Sequence, residues 1–313
     1  MEPQSQFDDV IVGAGLSGLN FAFRARTSDP NRKILILEKS KSCGGRMATR
    51  RVGESKFDHG AQFIKQSAAS APLINFWDCQ KVLRKFPSEQ INAFCGISGM
   101  TQLSKKISES LNIRYNCKVF QLQRTGDGWQ ISFNESESVF SKNIILSSPL
   151  PQSLELLNSS GISFDPGLSQ IHYSKAIVGL VEFSKPLDEQ MNYQENFDSS
   201  IFSICSQKEK GLASTFNYTI VMGDTWSEDH FSLPDEMILQ KSMDVIQSKF
   251  KKNQILHAQI KKWKYCQPYK IWESPFYQAE EGCFLIGDAF GGASLNGAIK
   301  SSNSLFESPF MQK

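Results

Sequence analysis

The sequence lacks the patterns that mark several classes of protein. Its seven cysteines are odd in number and form no CxxC pair, which argues against both a disulfide framework and a zinc module. No segment contains about 18 uninterrupted apolar residues, the length that a membrane-spanning helix needs. Lys and Arg total 34 against 32 Asp and Glu, so the chain lacks the basic excess typical of nucleic-acid-binding proteins. We expect a small-molecule partner, no metal, no nucleic acid and no membrane.

The N-terminal residues, the cysteines and the chain length give expectations about location and domain number. Residues 1–6 lack the basic start of a signal peptide, and the unpaired cysteines favour a reducing compartment, so a cytoplasmic protein is expected. The 313 residues suggest about two domains, and a hydrophobic fraction of 40% suits a globular fold.

The N-terminal region follows a strand–helix–strand pattern. Residues 7–12 and 33–38 are typical of buried parallel strands, and residues 15–26 between them are typical of a helix. Gly13, Gly15 and Gly18 fall at the turn into that helix and satisfy the GxGxxG pattern in its required context. Glu38 ends the second strand, where a carboxylate can accept hydrogen bonds from ribose hydroxyls. The pattern predicts a dinucleotide site without deciding between NAD and FAD.

Two further motifs narrow the choice. Gly44, Gly45 and Arg46 form a loop that can approach a phosphate, and residues 57–63 follow it with the sequence FDHGAQF. Near the C-terminus, residues 282–289 are typical of a strand that ends in Gly287-Asp288, and residues 291–299 open a helix. A helix N-terminus near Asn296 would stabilise the negative charge of a reduced flavin.

With these motifs the chain resembles the flavin amine oxidase superfamily, most closely its renalase-like branch. The resemblance implies an α/β fold in which a mixed β-sheet substrate domain of the α+β kind is inserted into a doubly wound, Rossmann-type FAD-binding domain. We expect the discontinuous FAD domain at 1–66, 96–158 and 266–313, and the substrate domain at 67–95 and 159–265. FAD is expected to bind without a covalent link. The residues expected at the cofactor are Gly13, Gly15, Leu16, Ser17, Gly18, Glu38, Lys39, Gly45, Arg46, Ala61, Gln62, Phe63, Val119, Gly287, Asp288, Asn296, Ala298 and Ile299.

The resemblance also implies a reaction. A renalase-like enzyme takes hydride from a dihydronicotinamide, NAD(P)H or one of its non-standard isomers, to flavin N5 and passes the electrons to O2, which yields hydrogen peroxide. Gln62 and Lys175 are the catalytic candidates, since the superfamily places a lysine at the position of Lys175 that holds a water at N5. Phe63, Trp263 and Tyr265 are the substrate candidates. The role of His59, where leucine is more usual, stays open between a structural and a catalytic one.

Two other functions remain open. A flavin amine oxidase or desaturase acting on another small substrate would make use of Lys175. A binder of the GDP-dissociation-inhibitor type shares the fold without flavin, but it has no need of both the Gly-Gly-Arg loop and the C-terminal Gly-Asp pair.

Further elements are predicted beyond residue 110. Residues 128–133, 139–140 and 143–147 are typical of short strands, as are 113–123, 171–183, 212–222 and 255–265, and residues 233–250 are typical of a helix.

Overall fold

The structure is a computed structural model that describes residues 6–88, 91–188 and 191–311. Residues 1–5, on which the expectation of no signal peptide largely depends, lie outside the described residues. Within the described ranges, no helix has both the length and the apolar character that crossing a membrane requires.

The secondary-structure elements are numbered in chain order. The strands are β1 (Gln6–Val12), β2 (Ile34–Leu37), β3 (Thr49–Val52), β4 (Ser55–Asp58), β5 (Ile64–Lys65), β6 (Leu83–Lys85), β7 (Ala93–Gly96), β8 (Ile113–Arg114), β9 (Val119–Thr125), β10 (Gly128–Phe133), β11 (Glu137–Leu146), β12 (Ala176–Phe183), β13 (Tyr193–Glu195), β14 (Ile201–Ser206), β15 (Phe216–Met222), β16 (Ile255–Trp263), β17 (Tyr277–Glu280) and β18 (Cys283–Leu285). The helices are α1 (Leu16–Ser28), α2 (Ala71–Cys79), α3 (Met100–Ser108), α4 (Leu150–Ser159), α5 (Asp224–His230), α6 (Asp235–Lys249), α7 (Asp288–Gly291) and α8 (Leu295–Phe306), with a 3-10 turn at Pro166–Gln170.

The largest sheet carries the N-terminal motif. It has the order β17–β18–β11–β1–β2–β8, and the antiparallel pair β9 and β10 extends it from β11. Strands β18, β11, β1, β2 and β8 run parallel. All four residues of β2 are buried because both faces of the sheet are covered. Ile36 packs with α1, α3 and α8 on one face, while Leu35 packs with α4 on the other. The predicted Rossmann-type α/β fold is confirmed.

The second sheet packs against the β3–β4 hairpin. Its order is β13–β14–β15–β12–β16, and every neighbouring pair is antiparallel. Alternate residues of β12 serve its two faces: Ile177 packs with α6, whereas Ala176 and Val178 pack against Phe57 of the β3–β4 hairpin. The β3–β4 hairpin therefore packs against one face of the second sheet.

Several predicted boundaries were wrong. Residues 113–123 form two strands, β8 beside β2 and β9 in the meander, because the chain turns at Asn116, whose φ of 56° lies in the left-handed region that asparagine tolerates. Residues 139–140 and 143–147, predicted as separate strands, belong to the single strand β11, which ends at Leu146.

Further differences concern the second sheet. Strand β12 begins at Ala176 rather than at 171, because Tyr173 packs into the core of the first sheet. Strand β15 begins at Phe216 instead of 212, β16 ends at Trp263 instead of 265, and α6 is shorter than 233–250 at both ends. Strands β13 and β14 were not predicted.

Candidate active site

The glycine turn between β1 and α1 forms an open cradle. Gly13 has a φ of 107°, which favours glycine, and a side chain at Gly18 would meet the Gly13 carbonyl at 2.5 Å. A side chain at Gly15 would instead enter open space, with no atom within 4 Å. The Ser17 hydroxyl beside this cradle is buried and has no hydrogen-bond partner among the described residues. Free N–H groups at the start of α1 complete a site that fits a pyrophosphate.

Glu38 closes one side of this cradle. Its carboxylate accepts hydrogen bonds from the Ala14 N–H at 2.7 Å and from the Ser40 N–H at 2.8 Å. A carboxylate has acceptor capacity for more than two bonds, so ribose hydroxyls can still be bound. Glu38 therefore fits the predicted ribose contact.

Arg46 and Asp288, which were predicted as separate cofactor contacts, form one ion pair in which Asp288 is buried and Arg46 is partly exposed. The two guanidinium nitrogens lie 2.5 and 2.8 Å from the two carboxylate oxygens, and the Tyr173 hydroxyl donates to the same carboxylate at 3.1 Å. Burial opposes the charge of Arg46, but Asp288 outweighs it and raises the pKa of Arg46. Burial, and then the charge of Asp288, raise the pKa of Tyr173, which keeps its hydroxyl protonated. The pair joins the Gly-Gly-Arg loop to the start of α7.

A second ion pair, which is fully buried, holds the loop that follows β4. The ammonium of Lys210 lies 2.6 Å from the carboxylate of Asp58, and both side chains are fully excluded from solvent. Lys210 also donates to the Gln62 carbonyl oxygen at 2.8 Å. The second carboxylate oxygen of Asp58 accepts from the Thr49 hydroxyl at 2.5 Å and from the Met100 N–H at 2.8 Å. Burial alone would lower the pKa of Lys210, but the charge of Asp58 raises it.

The side-chain amide of Gln62 makes four hydrogen bonds to protein groups. Its amide nitrogen donates to the carbonyl oxygens of Asp58 and Gly60, and its oxygen accepts from Gln207 and Lys210. A further hydrogen bond from this amide to a flavin would require one of these four to break. Contact between Gln62 and the cofactor stays a prediction, and these four hydrogen bonds fix the shape of the loop.

Ala61 and Phe63 flank Gln62 in different surroundings. The Ala61 N–H donates to the Arg46 carbonyl oxygen at 2.9 Å, so the loop runs beside the Gly-Gly-Arg segment. The Phe63 ring packs against Phe86 at 4.8 Å and edge-on to Tyr193 at 5.3 Å.

His59 and Trp263 form an aromatic stack beside the same loop. Their ring centroids are 5.4 Å apart with an angle of 19° between the planes, and the Trp263 indole N–H donates to the His59 carbonyl oxygen at 2.7 Å. Burial, followed by the nearby charge of Lys261, lowers the pKa of His59 to about 4. The His59 ring is therefore neutral near pH 7, and its buried Nδ1 has no hydrogen-bond partner in the described ranges.

Lys175 and Tyr265, a catalytic and a substrate candidate, lie together at a different cavity. The Lys175 ammonium pairs with Glu228 of α5 at 2.8 Å. Lys175 lines a cavity of about 520 Å³ together with Tyr265, which packs edge-on to Tyr173 at 6.0 Å. Trp263 packs instead with Phe57, so Trp263 and Tyr265 do not form one cage.

The C-terminal candidates surround the start of α8. The Ser294 hydroxyl caps this helix, and the Asn296 amide donates to Ser67 at 2.7 Å, which ties α8 to the segment after β5. Ala298 and Ile299 are buried in its first turns, and the Gly287 N–H donates to Ser301. Two further residues were predicted to contact the cofactor. Lys39 donates a hydrogen bond to Gln152, and Val119 is half-buried at the start of β9. Gly45 follows Gly44, whose backbone forms an isolated parallel β-bridge with Gly15.

Comparison with known proteins identifies the family. Residues 76–303 match the family described as flavin containing amine oxidoreductase, and residues 11–79 match the NAD(P)-binding Rossmann-like domain. The first of these matches covers well over half of the chain. The chain belongs to the flavin containing amine oxidoreductases. It is an FAD-dependent oxidoreductase, and the open cradle with its acceptor at Glu38 fits that cofactor.

Several solved structures share this fold. A protein from Exiguobacterium sp. 255-15, provisionally named a protoporphyrinogen oxidase, matches with a TM-score of 0.75 at 12% identity over 99% of this chain and 100% of its own. A redesigned triple mutant of putrescine oxidase gives a TM-score of 0.72 at 13% identity over 97% and 98%. An oxidoreductase from Methanosarcina mazei gives 0.68 at 11% identity over 97% and 100%. At these identities the likeness concerns the fold alone.

Sequence reasoning missed Lys210, Gln207 and Tyr173. Lys210 follows Lys208 and Glu209, both exposed, and the run resembles a solvated charged loop. Its partner Asp58 is 152 positions away, so no local pattern marks the pair. Tyr173 lay inside a predicted strand and meets Asp288 only because the chain leaves the second sheet there.

Proposed function

We propose that this enzyme is a renalase-like oxidase that oxidises a dihydronicotinamide nucleotide and passes the electrons to O2. The observation that carries the proposal is the stack of His59 on Trp263 beside the Ala61–Arg46 contact. A flat aromatic surface suits a nicotinamide ring, and the low pKa of His59 leaves a neutral ring there.

Hydride transfer requires a correctly positioned substrate ring rather than an acid–base pair. Bound FAD would supply the hydride acceptor, and the two electrons of the dihydropyridine would pass with two protons to O2, giving the pyridinium and hydrogen peroxide. In this account Glu38 holds a ribose and the start of α1 holds the pyrophosphate. The Arg46–Asp288 pair fixes the Gly-Gly-Arg loop, and the Lys210–Asp58 pair fixes the adjacent loop at residues 58–63. We propose that FAD binds without a covalent link.

A second candidate is an amine oxidase acting on another small substrate. The family match and the position of Lys175 immediately before β12 favour it. In that reaction a lysine near the flavin would assist the oxygen step, because a cation stabilises developing negative charge.

Peroxide release tests the proposal. The holoenzyme should form one hydrogen peroxide for each dihydronicotinamide consumed, and Trp263→Ala should raise KM more than it lowers kcat because it removes the proposed ring platform. Trp226→Ala is a matched control, since Trp226 stacks on His230 at 4.1 Å in α5. Equal effects of the two substitutions would remove the support that the His59–Trp263 stack gives to the proposal.

A further inference from the structure

We propose that Arg50 and Lys261 form an anion site that binds a phosphate of the substrate beside the His59–Trp263 stack. This inference rests on the proposed function, because it names the part of a dihydronicotinamide nucleotide that the enzyme recognises.

The strand registers bring the two cations to one interface. Arg50 is paired with Phe57 across the β3–β4 hairpin, and Lys261 is paired with Val178 across β16 and β12. Cross-strand partners project from the same face of a sheet, and Phe57 and Val178 pack in one apolar cluster. Arg50 and Lys261 therefore project toward the same junction between the hairpin and the second sheet.

The aromatic stack lies at that junction. Trp263 follows Lys261 by two positions on β16, so both project from the same face of the strand. His59 follows Phe57 by two positions and stacks on Trp263. An anionic group attached to a ring on this stack would therefore be near both cations.

Neither cation at this junction has a direct salt-bridge partner among the described residues. Neither Arg50 nor Lys261 makes an ion pair within the described part of the chain, whereas Lys262, on the opposite face of β16, pairs with Asp235 at 3.1 Å. Asp58, the carboxylate nearest to His59 in sequence, is already paired with Lys210. Burial and then the charge of Arg50 lower the pKa of Lys261, and the charge of Asp235, which pairs with Lys262, offsets only part of this shift.

His59 supplies the third element of the site. Its Nδ1 is buried without a partner in the structure as described, and buried polar atoms are normally hydrogen-bonded. A neutral imidazole can carry a proton on Nδ1 and donate it to an anion without becoming charged. The junction thus offers two cations and a neutral donor, which is the chemistry that recognises a phosphate.

The test compares substrates that differ only in the phosphate. The holoenzyme's kcat/KM should be about ten-fold or more higher for dihydronicotinamide mononucleotide than for the corresponding riboside, since charge-assisted contacts are the stronger ones. Arg50→Gln and Lys261→Gln should each reduce this preference several-fold, and the double variant should abolish it. Arg51→Gln and Lys262→Gln are matched controls from the opposite faces of the same strands and should keep the preference. A preference that survives in the double variant would overturn the anion site.

A binding measurement separates this inference from the proposed function. Pyrophosphate, titrated calorimetrically into the oxidised holoenzyme, should bind to the parent and at least ten-fold more weakly to the Arg50→Gln/Lys261→Gln variant. This result would support the anion site even if no dihydronicotinamide reduces the flavin. Equal binding of pyrophosphate to both proteins would contradict it, whatever the substrate is.

Discussion

The ammonium of Lys210 and the carboxylate of Asp58 lie 2.6 Å apart, fully buried and 152 positions apart in sequence. The pair connects the end of β4 to the loop that follows β14. Hydrogen bonds from Lys210 and Gln207 to Gln62 extend the connection to residues 58–63. The second sheet thereby fixes the shape of the loop on which the proposed active site depends.

Breaking this pair should destabilise the protein strongly. Lys210→Met leaves the Asp58 carboxylate buried without its counter-ion, a change that typically costs about 3–5 kcal/mol. Urea unfolding of the purified protein measures the loss. Lys208→Met is the matched control, because Lys208 is exposed, and it should change the free energy of unfolding by less than about 1 kcal/mol.

Removing both charges tests whether the loss of stability comes from the unpaired Asp58 carboxylate. The double variant Asp58→Asn/Lys210→Met contains no unpaired charge, so it should recover much of the stability that Lys210→Met loses. A double variant as unstable as the sum of its two single variants would show that the ion pair itself does not account for the effect.

His59 should make stability sensitive to acid. Its folded pKa of about 4 lies below the ordinary value near 6.5, so the unfolded chain binds more protons between these values. Stability should fall as the pH drops from about 6.5 to 4, by up to about 3 kcal/mol from this group. His59→Leu should show a smaller loss over that window in urea unfolding at several pH values. Parallel pH profiles for parent and variant would contradict the lowered pKa.

Glu38 should be needed to retain FAD. Glu38→Ala removes the proposed ribose acceptor and the hydrogen bond to the Ala14 N–H, and a charge-assisted bond contributes roughly 1.5–3 kcal/mol. The dissociation constant for FAD, measured by flavin fluorescence on dilution, should rise about ten-fold or more. Glu135→Ala, at an exposed hairpin tip, should leave it unchanged. An equally tight complex in Glu38→Ala would exclude Glu38 as the ribose ligand.

Much of the cofactor site is local in sequence, and that part could be predicted. Gly13, Gly18 and Glu38 lie within one strand–helix–strand unit, where the spacing alone fixes their relative positions. The ion pairs could not be predicted, because Arg46 and Asp288 are 242 positions apart and Lys210 resembles a surface lysine. The strand break at Asn116 was missed for a related reason: the apolar residues on both sides suit either one strand or two.

Lys175 separates the two candidate reactions. Its ammonium is paired with Glu228 and lines the cavity shared with Tyr265, so we expect Lys175→Met to change the rate of flavin reoxidation by O2 by less than about two-fold. Stopped-flow mixing of the reduced enzyme with oxygenated buffer gives this rate. Reoxidation slowed ten-fold or more, with reduction by substrate unchanged, would place Lys175 at the flavin and favour the amine oxidase.

Anaerobic reduction of the bound flavin tests the central claim most directly. The holoenzyme is mixed in a stopped-flow instrument with the 2- and 6-dihydro isomers of NADH, with NADH itself, and with primary and secondary amines such as putrescine and spermidine. We predict that a dihydronicotinamide bleaches the flavin absorbance at least a hundred-fold faster than any amine, because hydride transfer needs only a positioned ring. Rapid bleaching by an amine, with none by the dihydronicotinamides, would contradict the proposed function.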